Sequence, residues 1–131
     1  MNGGEDSNER TTKVLLVEDD EMVREFAETM LRVLGFEPCA AADGETALRL
    51  LDENTDIDLL LTDIGLPGAF DGPKLAEEAR RRRPDLPVLF ASGSVDSEGK
   101  AAKLPPGTGV LAKPYRKAEL ATRLRDLLPQ S

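Results

Sequence analysis

The sequence predicts an α/β fold in which a five-stranded parallel sheet is doubly wound, with helices on both faces. The first observation is that five short apolar segments alternate with segments of helical apolar spacing, without an internal repeat. Such alternation is typical of parallel strands joined by crossover helices. The second observation is that polar or charged residues directly follow four of the five apolar segments. Because ligands bind at the carboxyl ends of parallel strands, we expect these residues to share a site.

The composition predicts one water-soluble domain and excludes several functional classes. The chain has 131 residues, of which 40% are hydrophobic and 32% charged, enough for a hydrophobic core. A net charge of -8 disfavours direct binding of nucleic acid, which needs a cationic surface. Cys39 is the single cysteine and cannot form an intramolecular disulfide. No apolar run approaches the roughly 20 residues that span a bilayer, and no signal-peptide core is present. We therefore expect a cytoplasmic protein without a membrane contact.

The predicted domain covers residues 13–128. The preceding residues 1–12 are polar and rich in Gly, Asn and acidic residues, which is typical of a disordered tail. Residues 129–131 form a short tail after the last predicted helix. We expect no output domain after it, so the chain is either a stand-alone protein or one module of a larger one.

The first part of the domain predicts a strand, a helix and an edge strand. Residues 13–17 form the first strand. A helix with one apolar face begins near Met22 and ends at Gly35, a residue common at helix C-termini. Residues 36–41 form a weaker strand, placed at the sheet edge because Pro38 cannot donate a ladder hydrogen bond. The residues assigned to the apolar helical face are Val23, Phe26, Ala27, Met30 and Leu34.

The middle of the chain predicts the central strand between two helices. The first helix follows the turn at Asp43. Residues 59–62 are apolar or β-branched and predict a short buried strand that ends abruptly at Asp63. A loop rich in Gly and Pro follows, and Pro73 occupies the first position of a helix that runs to about Arg83. The inward-facing residues of the two helices are Ala47, Leu48, Leu50 and Leu51, then Leu75, Ala76 and Ala79.

The last part predicts two strands and two helices of unequal quality. The fourth strand is followed by Ser92, and the fifth by Lys113. The helix between these strands is weak because it contains Gly99 and few large apolar side chains. The last helix is amphipathic. The predicted ranges are residues 87–91, 96–104, 108–112 and 117–128.

The polar residues after the strands predict a phosphoryl-transfer site. Several carboxylates at one edge would repel each other unless a cation lay among them, and oxygen ligands suit Mg²⁺. A hydroxyl and an ammonium group opposite the metal would contact phosphoryl oxygens. Asp63 would then be the nucleophile that forms an aspartyl phosphate. The residues are Glu18, Asp19 and Asp20 after the first strand, Asp63 after the third, Ser92 after the fourth and Lys113 after the fifth.

Four short motifs make the chain resemble a bacterial response-regulator receiver domain of two-component signalling. They are V-E-D-D after the first strand, L-L-T-D followed by L-P and D-G, S-G after the fourth strand, and K-P after the fifth. The resemblance covers roughly residues 13–128. It implies the flavodoxin-like strand order 2-1-3-4-5, which is taken over from chemotaxis regulators of this fold and does not follow from the alternation itself.

The resemblance also implies roles for individual residues. Asp20 becomes a third acid just outside the site, and Pro114 matches a proline that often follows a cis peptide bond. Val110 occupies a place where many receivers have an aromatic residue that moves on activation, so an aromatic relay is not expected here. The implied Mg²⁺ ligands are Glu18, Asp19, Asp63 and the backbone carbonyl of Gly65, with Asp63 the phosphoacceptor, Ser92 the switch hydroxyl and Lys113 the phosphate-binding lysine.

The implied partners are a phosphodonor and a downstream protein. The donor is a histidine kinase or a phosphotransfer protein, because the chain has no histidine of its own. The downstream protein is expected on the face formed by residues 96–104, the fifth strand and the last helix. Apart from its own phosphotransfer and dephosphorylation the chain is expected to catalyse nothing. We expect a monomer or weak dimer that is either a stand-alone regulator or the receiver module of a hybrid histidine kinase.

Two other functions compete with this interpretation. A pseudo-receiver would act as an adaptor without being phosphorylated, but the complete set of acids, Ser92 and Lys113 disfavours it. A phosphatase similar to haloacid dehalogenases would also use an aspartate after a strand. Such enzymes need a second aspartate two positions later as general acid, and that position is Gly65 here. Taken singly, each motif could also be a turn or a solvated helix start.

Overall fold

The computed structural model describes residues 11–93 and 108–128. Up to the fourth strand, strands and helices alternate as the sequence predicts, and the five strands form one sheet. The elements are β1 (Lys13–Val17), α1 (Glu21–Val33), β2 (Glu37–Ala41), α2 (Gly44–Glu53), β3 (Ile57–Asp63), α3 (Gly72–Arg82), β4 (Val88–Ser92), β5 (Thr108–Ala112) and α4 (Lys117–Leu127).

The strand order is β2-β1-β3-β4-β5, and every neighbouring pair is parallel. This confirms the predicted flavodoxin-like order and places β2, with its Pro38, at an edge. β1 and β3 are neighbours, with Val17 opposite Thr62 in the register. The residues that follow β1 therefore lie beside Asp63, the last residue of β3.

The hydrophobic core is divided by the sheet into two clusters, as expected when helices cover both faces. Leu15 and Phe90 belong to a cluster that also contains inward-facing residues of α2 and α3. Leu16 and Leu89 belong to the other cluster, which contains residues of α1 and α4. The buried strand residues in both clusters are at most 4% exposed, and alternate side chains enter opposite faces. Burial on both sides makes the sheet a rigid support for the residues at its edge.

Aspartates begin three of the four helices that the structure describes. Oδ1 of Asp20 accepts a hydrogen bond from the backbone N–H of Val23 at 3.0 Å. Asp43 and Asp71 cap α2 and α3 in the same way, with distances of 2.7 and 2.9 Å. Such caps satisfy backbone donors that have no partner within the helix. The hydrogen bonds with Thr46 also lower the pKa of the Asp43 carboxyl group from its ordinary value.

The structure corrects the predicted apolar face of α1. The spacing predicts that Val23 and Phe26 share the apolar face that packs on the sheet, but they are 37% and 66% exposed. The buried side of this helix consists of Ala27, Met30 and Leu31. The spacing finds an apolar stripe, whereas the part of the stripe that is buried depends on how the helix lies on the sheet.

Smaller differences concern the ends of elements. β3 begins at Ile57, two residues earlier than predicted, and Asp63 is its last residue. β4 begins one residue later and includes Ser92. The weak helix predicted over residues 96–104 lies outside the described residues, as do the predicted tails apart from residues 11 and 12. None of the described helices has the length and apolar character needed to cross a membrane.

Candidate functional site

Three carboxylates from two neighbouring strands meet at the carboxyl end of the sheet. Glu18 and Asp19 directly follow β1, and Asp63 ends β3. One oxygen atom from each of these residues lies within 4.8 Å of the other two. Glu18 is buried, Asp63 is half-buried and Asp19 is exposed. Unpaired carboxylates this close together repel each other, so the arrangement favours a bound cation.

Lys113 lies against two of these carboxylates. Its Nζ donates a hydrogen bond to Glu18 Oε1 at 2.6 Å and lies 3.6 Å from Asp63 Oδ2. The side chain is 21% exposed, so the ammonium group is partly removed from water. The resemblance predicted a lysine that binds phosphate. The structure adds that Glu18 is its nearest carboxylate partner.

The ends of β4 and β5 are joined where Lys113 leaves the sheet. The backbone N–H of Lys113 donates to the carbonyl oxygen of Ser92 at 2.8 Å. Ser92 is buried and is the last residue of β4, next to Ala112 in the register. The peptide bond between Lys113 and Pro114 is cis. These contacts bring Ser92 and Lys113 to the same edge of the sheet as the acids.

Glu18 is held by hydrogen bonds to its carboxylate group and to its backbone. Its Oε2 accepts from the backbone N–H of Asp20 at 3.2 Å, while Oε1 accepts from Lys113. Its backbone N–H donates to the carbonyl oxygen of Ala41 at 3.1 Å, and its own carbonyl oxygen accepts from Arg24 Nη1 at 2.9 Å. A carboxylate on a residue that is only 5% exposed needs such partners.

The loop after Asp63 is packed tightly against the start of α3. The N–H of Gly72 donates to the carbonyl oxygen of Ile64 at 2.8 Å, and the N–H of Ile64 donates to Ala91 at 3.0 Å. A Cβ atom on Gly72 would overlap the carbonyl oxygen of Asp63 and lie 2.7 Å from Ile64 Cα. Glycine is therefore required here by close backbone contact. Gly65, two residues after Asp63, is exposed.

An apolar depression lies beside the acids. It has a volume of about 620 Å³ and includes Lys113 in its lining. Phe26 is 66% exposed and Met22 is 80% exposed, so this part of α1 presents large apolar side chains to solvent. The other lining residues are Val23, Gly93, Pro114 and Tyr115.

The pKa of the Tyr115 hydroxyl group is raised by burial and by the charges of the site. Burial raises the pKa of its hydroxyl group to about 12, and the negative charges of Glu18 and Asp63 add to this effect. Its ring packs against the cluster that contains α1 and α4. It is the single tyrosine, and the chain has no tryptophan. The sequence motifs do not single out Tyr115, although its place two residues after Lys113 is a usable signal.

The structure thus brings together the side chains of Glu18, Asp19, Asp63 and Lys113 and places Ser92 at the same edge. Asp20 lies outside the group of three acids and caps α1 instead. Val110 is half-buried, lies opposite Phe90 in the register and packs against the cluster of α2 and α3. Arg24, which contacts the backbone of Glu18, was also missed, because its spacing from the acids gives no hint of that contact.

The donor atoms fit a hard divalent cation. The group offers oxygen ligands from residues that differ in burial, and its exposed side at Asp19 leaves room for water. Mg²⁺ favours a few carboxylates together with waters and phosphate oxygens. The residues that could hold it are Asp19 and Asp63, with Glu18 beside them. The backbone carbonyl of Gly65, two residues after Asp63, is a further candidate.

The chain matches the family model of the response regulator receiver domain over residues 14–125. It is similar in structure to a response regulator receiver protein from Sinorhizobium medicae, with a TM-score of 0.80 and 29% identity, covering 90% of this chain and 94% of that one. It is also similar to the receiver domain of the hybrid histidine kinase CckA, with a TM-score of 0.75 and 39% identity, covering 89% of this chain and 99% of that one.

Curated relatives of two kinds are similar in sequence. The sensor kinase CckA of Brucella abortus is 35% identical over 118 residues, which cover 88% of this chain and 12% of the kinase. The transcriptional regulatory protein PrrA of Mycobacterium tuberculosis is 36% identical over 124 residues, which cover 94% of this chain and 52% of the regulator. The chain therefore spans about half the length of the regulator and far less of the kinase.

Proposed function

The chain belongs to the family of response regulator receiver domains of two-component systems, and from this premise we propose that it is a phosphoryl-accepting switch. Asp63 is the phosphoacceptor. Its carboxylate lies beside Lys113 and within 4.8 Å of oxygens of Glu18 and Asp19, and this single arrangement is what supports the proposal. A partner protein provides the phosphohistidine, since the chain contains no histidine.

The transfer step is a displacement at phosphorus. A carboxylate oxygen of Asp63 forms the new P–O bond while the P–N bond of the phosphohistidine breaks, and the electron pair of that bond returns to the imidazole nitrogen. The ammonium group of Lys113 is close enough to Asp63 to donate to a phosphoryl oxygen after a small movement. The hydroxyl of Ser92 would donate to another. Positioning and charge neutralisation account for most of the catalysis in such reactions.

Mg²⁺ is the proposed cofactor. Asp19, Asp63 and the carbonyl of Gly65 would bind it directly, and Glu18 would bind through a water molecule. The bound ion would neutralise charge on the phosphoryl oxygens. Glu18 has a second task in this proposal, because its contact with Lys113 keeps the ammonium group at the edge of the sheet before phosphate arrives.

The apolar depression beside the acids is the proposed contact surface for the phosphodonor. A donor imidazole must reach Asp63, so its protein must cover the neighbouring surface, where Phe26 and Met22 are exposed. Lys113 lines this surface and also contacts the acids. Replacing Phe26 with Asp should therefore slow transfer from a cognate histidine kinase. The same variant should accept phosphate from acetyl phosphate at the normal rate.

The proposed output is a change in partner binding rather than turnover of a small molecule. A downstream protein would contact β5, α4 and residues 96–104, the last of which lie outside the described residues. Phosphorylation should then shift amide resonances of β5 and α4, and shifts confined to the loop after Asp63 would contradict this proposal. We propose a cytoplasmic protein, either a stand-alone regulator or the receiver module of a hybrid histidine kinase.

Acetyl phosphate with Mg²⁺ provides the direct test of the phosphoacceptor. The intact protein should gain the mass of one phosphoryl group, and hydroxylamine should remove it because an acyl phosphate is labile to that nucleophile. Asp63→Asn should show no gain. Asp85→Asn, which changes an exposed aspartate between α3 and β4, should behave like the wild type. A full mass gain in Asp63→Asn would contradict the assignment.

The same experiment separates the two competing functions. A pseudo-receiver would show no mass gain at any concentration of donor. A phosphatase similar to haloacid dehalogenases would also hydrolyse stable phosphate esters in many turnovers, whereas a receiver would release only phosphate that Asp63 has accepted from an activated donor. The second outcome is disfavoured because Gly65, at the position of the required general acid, has no side chain to donate a proton.

A further inference from the structure

We propose that Arg24 is a positioning residue for the divalent cation, because it fixes the peptide group that joins Glu18 to Asp19. This proposal rests on the metal site of the proposed function. Arg24 lies in the first half of α1 and is half-buried. Its Nη1 donates to the backbone carbonyl oxygen of Glu18 at 2.9 Å. That oxygen belongs to the peptide plane between the two acids.

Fixing this peptide plane sets the direction of Asp19. A peptide group is planar, so a carbonyl oxygen held in place also orients the following Cα atom. Glu18 has further support, since both of its carboxylate oxygens accept hydrogen bonds and its N–H donates to Ala41. Asp19 is exposed, and the direction of its carboxylate depends strongly on the backbone that precedes it. Arg24 is therefore placed to orient a ligand that it does not itself touch.

The helix start is fixed by the same residue. The backbone N–H of Arg24 donates to the carbonyl oxygen of Asp20 at 2.8 Å, which begins the regular hydrogen bonding of α1. The Asp20 side chain caps this helix. The acids therefore lie between β1 and α1, and the Arg24 side chain in the first full turn of α1 contacts the backbone of Glu18. A residue at this helix position is well suited to support the ligands.

Geometry and charge predict opposite effects, which makes the proposal testable. A guanidinium group near the site repels a divalent cation, so its charge alone weakens metal binding. Its hydrogen bond to the Glu18 carbonyl orients Asp19 and so strengthens binding. Removal of Arg24 should tighten Mg²⁺ binding if charge is decisive and weaken it if positioning is decisive.

The experiment is a Mg²⁺ titration of the unphosphorylated protein, followed by the fluorescence of Tyr115 and by amide resonances of residues 18–20. Arg24→Met removes the charge and the donor but keeps an apolar chain of similar length. We expect its dissociation constant for Mg²⁺ to rise about tenfold, the lower end of the effect usual for residues that orient metal ligands. Arg32→Met is the matched control, because Arg32 is exposed in the last turn of the same helix.

Arg24→Lys gives a second comparison. It keeps the positive charge and an N–H donor, so it should bind Mg²⁺ more tightly than Arg24→Met. An unchanged or lower dissociation constant for Arg24→Met would overturn the proposal, even if that variant were less stable. So would a Lys variant that binds less tightly than the Met variant, because charge repulsion would then be decisive.

The outcome is distinguishable from failure of the proposed function. If the wild type binds Mg²⁺ and accepts phosphate while Arg24→Met binds the ion normally, only the role of Arg24 is overturned. If the wild type binds no Mg²⁺, both proposals are overturned. At saturating Mg²⁺, Arg24→Met should again accept phosphate from acetyl phosphate, because Asp63 and Lys113 remain in place.

Discussion

Each end of the sheet brings a lysine against carboxylates, and the two clusters differ mainly in how exposed the carboxylates that pair with the lysine are. At the amino end, Lys13 lies 3.1 Å from Asp56 and 4.0 Å from Glu37, whose side chains are 48% and 57% exposed. The hydrogen bond with Asp56 is the main cause that raises the pKa of Lys13. At the carboxyl end, Lys113 lies 2.6 Å from Glu18, whose side chain is only 7% exposed.

This difference shows why similar charges give a structural cluster at one end and the candidate functional site at the other. Water solvates the acids around Lys13, so that ion pair has little influence on the rest of the protein. Around Lys113, Glu18 and Asp63 are largely removed from water, and Asp19 brings a third carboxylate within 4.8 Å. One ammonium group cannot balance three carboxylates, so the carboxyl end favours a bound cation, which is what the proposed function requires.

The largest expected effect compares how tightly the backbone is packed at the two ends of the sheet. Gly72→Ala would place a Cβ atom against the backbone of Asp63 and Ile64, which cannot move without displacing the end of β3. We expect a loss of about 3 kcal/mol in the free energy of unfolding, measured with urea. Gly109→Ala, near the amino end of β5, would meet only the tips of Leu89 and Leu127 at 3.2 and 3.3 Å and should cost less. Equal losses would contradict the idea of a rigid carboxyl end.

The next effect compares the two lysines directly. Lys113→Met leaves the buried Glu18 carboxylate without its cation and increases the repulsion among the acids. Without Mg²⁺ we expect a loss of about 2 kcal/mol in the free energy of unfolding. Mg²⁺ should restore part of it, because the ion neutralises the same carboxylates. Lys13→Met should cost less and should not respond to Mg²⁺, since its acidic partners are exposed. A larger loss for Lys13→Met would reverse the comparison.

The last effect is electrostatic and is measured at Tyr115. The folded protein should ionise this hydroxyl with a pKa of about 12, compared with about 10 in the unfolded chain. Because the folded pKa is raised, the associated stability is complete below pH 10 or so and is lost as the pH rises through about 12. Titration of tyrosinate absorbance measures this directly.

Two substitutions show whether that shift belongs to the carboxyl end. Asp63→Asn removes a negative charge that raises the pKa of Tyr115, so it should lower that pKa. Asp56→Asn, in the cluster around Lys13, is the control and should leave it unchanged. A larger change in the control would mean that long-range charge, and not the nearby acids, acts on Tyr115.

The position of the site could be predicted from the sequence because the topology determines it. In a parallel sheet the residues after each strand share one edge, so Asp63, Ser92 and Lys113 could be placed together without knowing their contacts. The strand order needed the resemblance to receivers, because alternation of strands and helices predicts parallel strands but several orders satisfy it. The order is confirmed, with β1 and β3 adjacent.

The contacts within the site could not be predicted because they depend on side-chain direction. The hydrogen bond from Lys113 to Glu18 joins residues 95 positions apart, and the sequence around neither residue specifies it. The hydrogen bond from Arg24 likewise depends on the path of α1. Val23 and Phe26 continue the helical spacing of the buried residues of α1. They nevertheless line the exposed depression with Pro114 and Tyr115 and are not packed between the helix and the sheet. Periodicity describes one helix, whereas burial depends on its neighbours.

The single thiol provides a chemical probe of the edge strand β2. Cys39 lies half-buried on the edge strand β2, opposite Leu15, and burial is the main cause that raises its pKa. At neutral pH little of it is the reactive thiolate, so alkylation should be slow while β2 stays paired. The rate of alkylation therefore measures how often this margin of the domain detaches, and no engineered cysteine is needed.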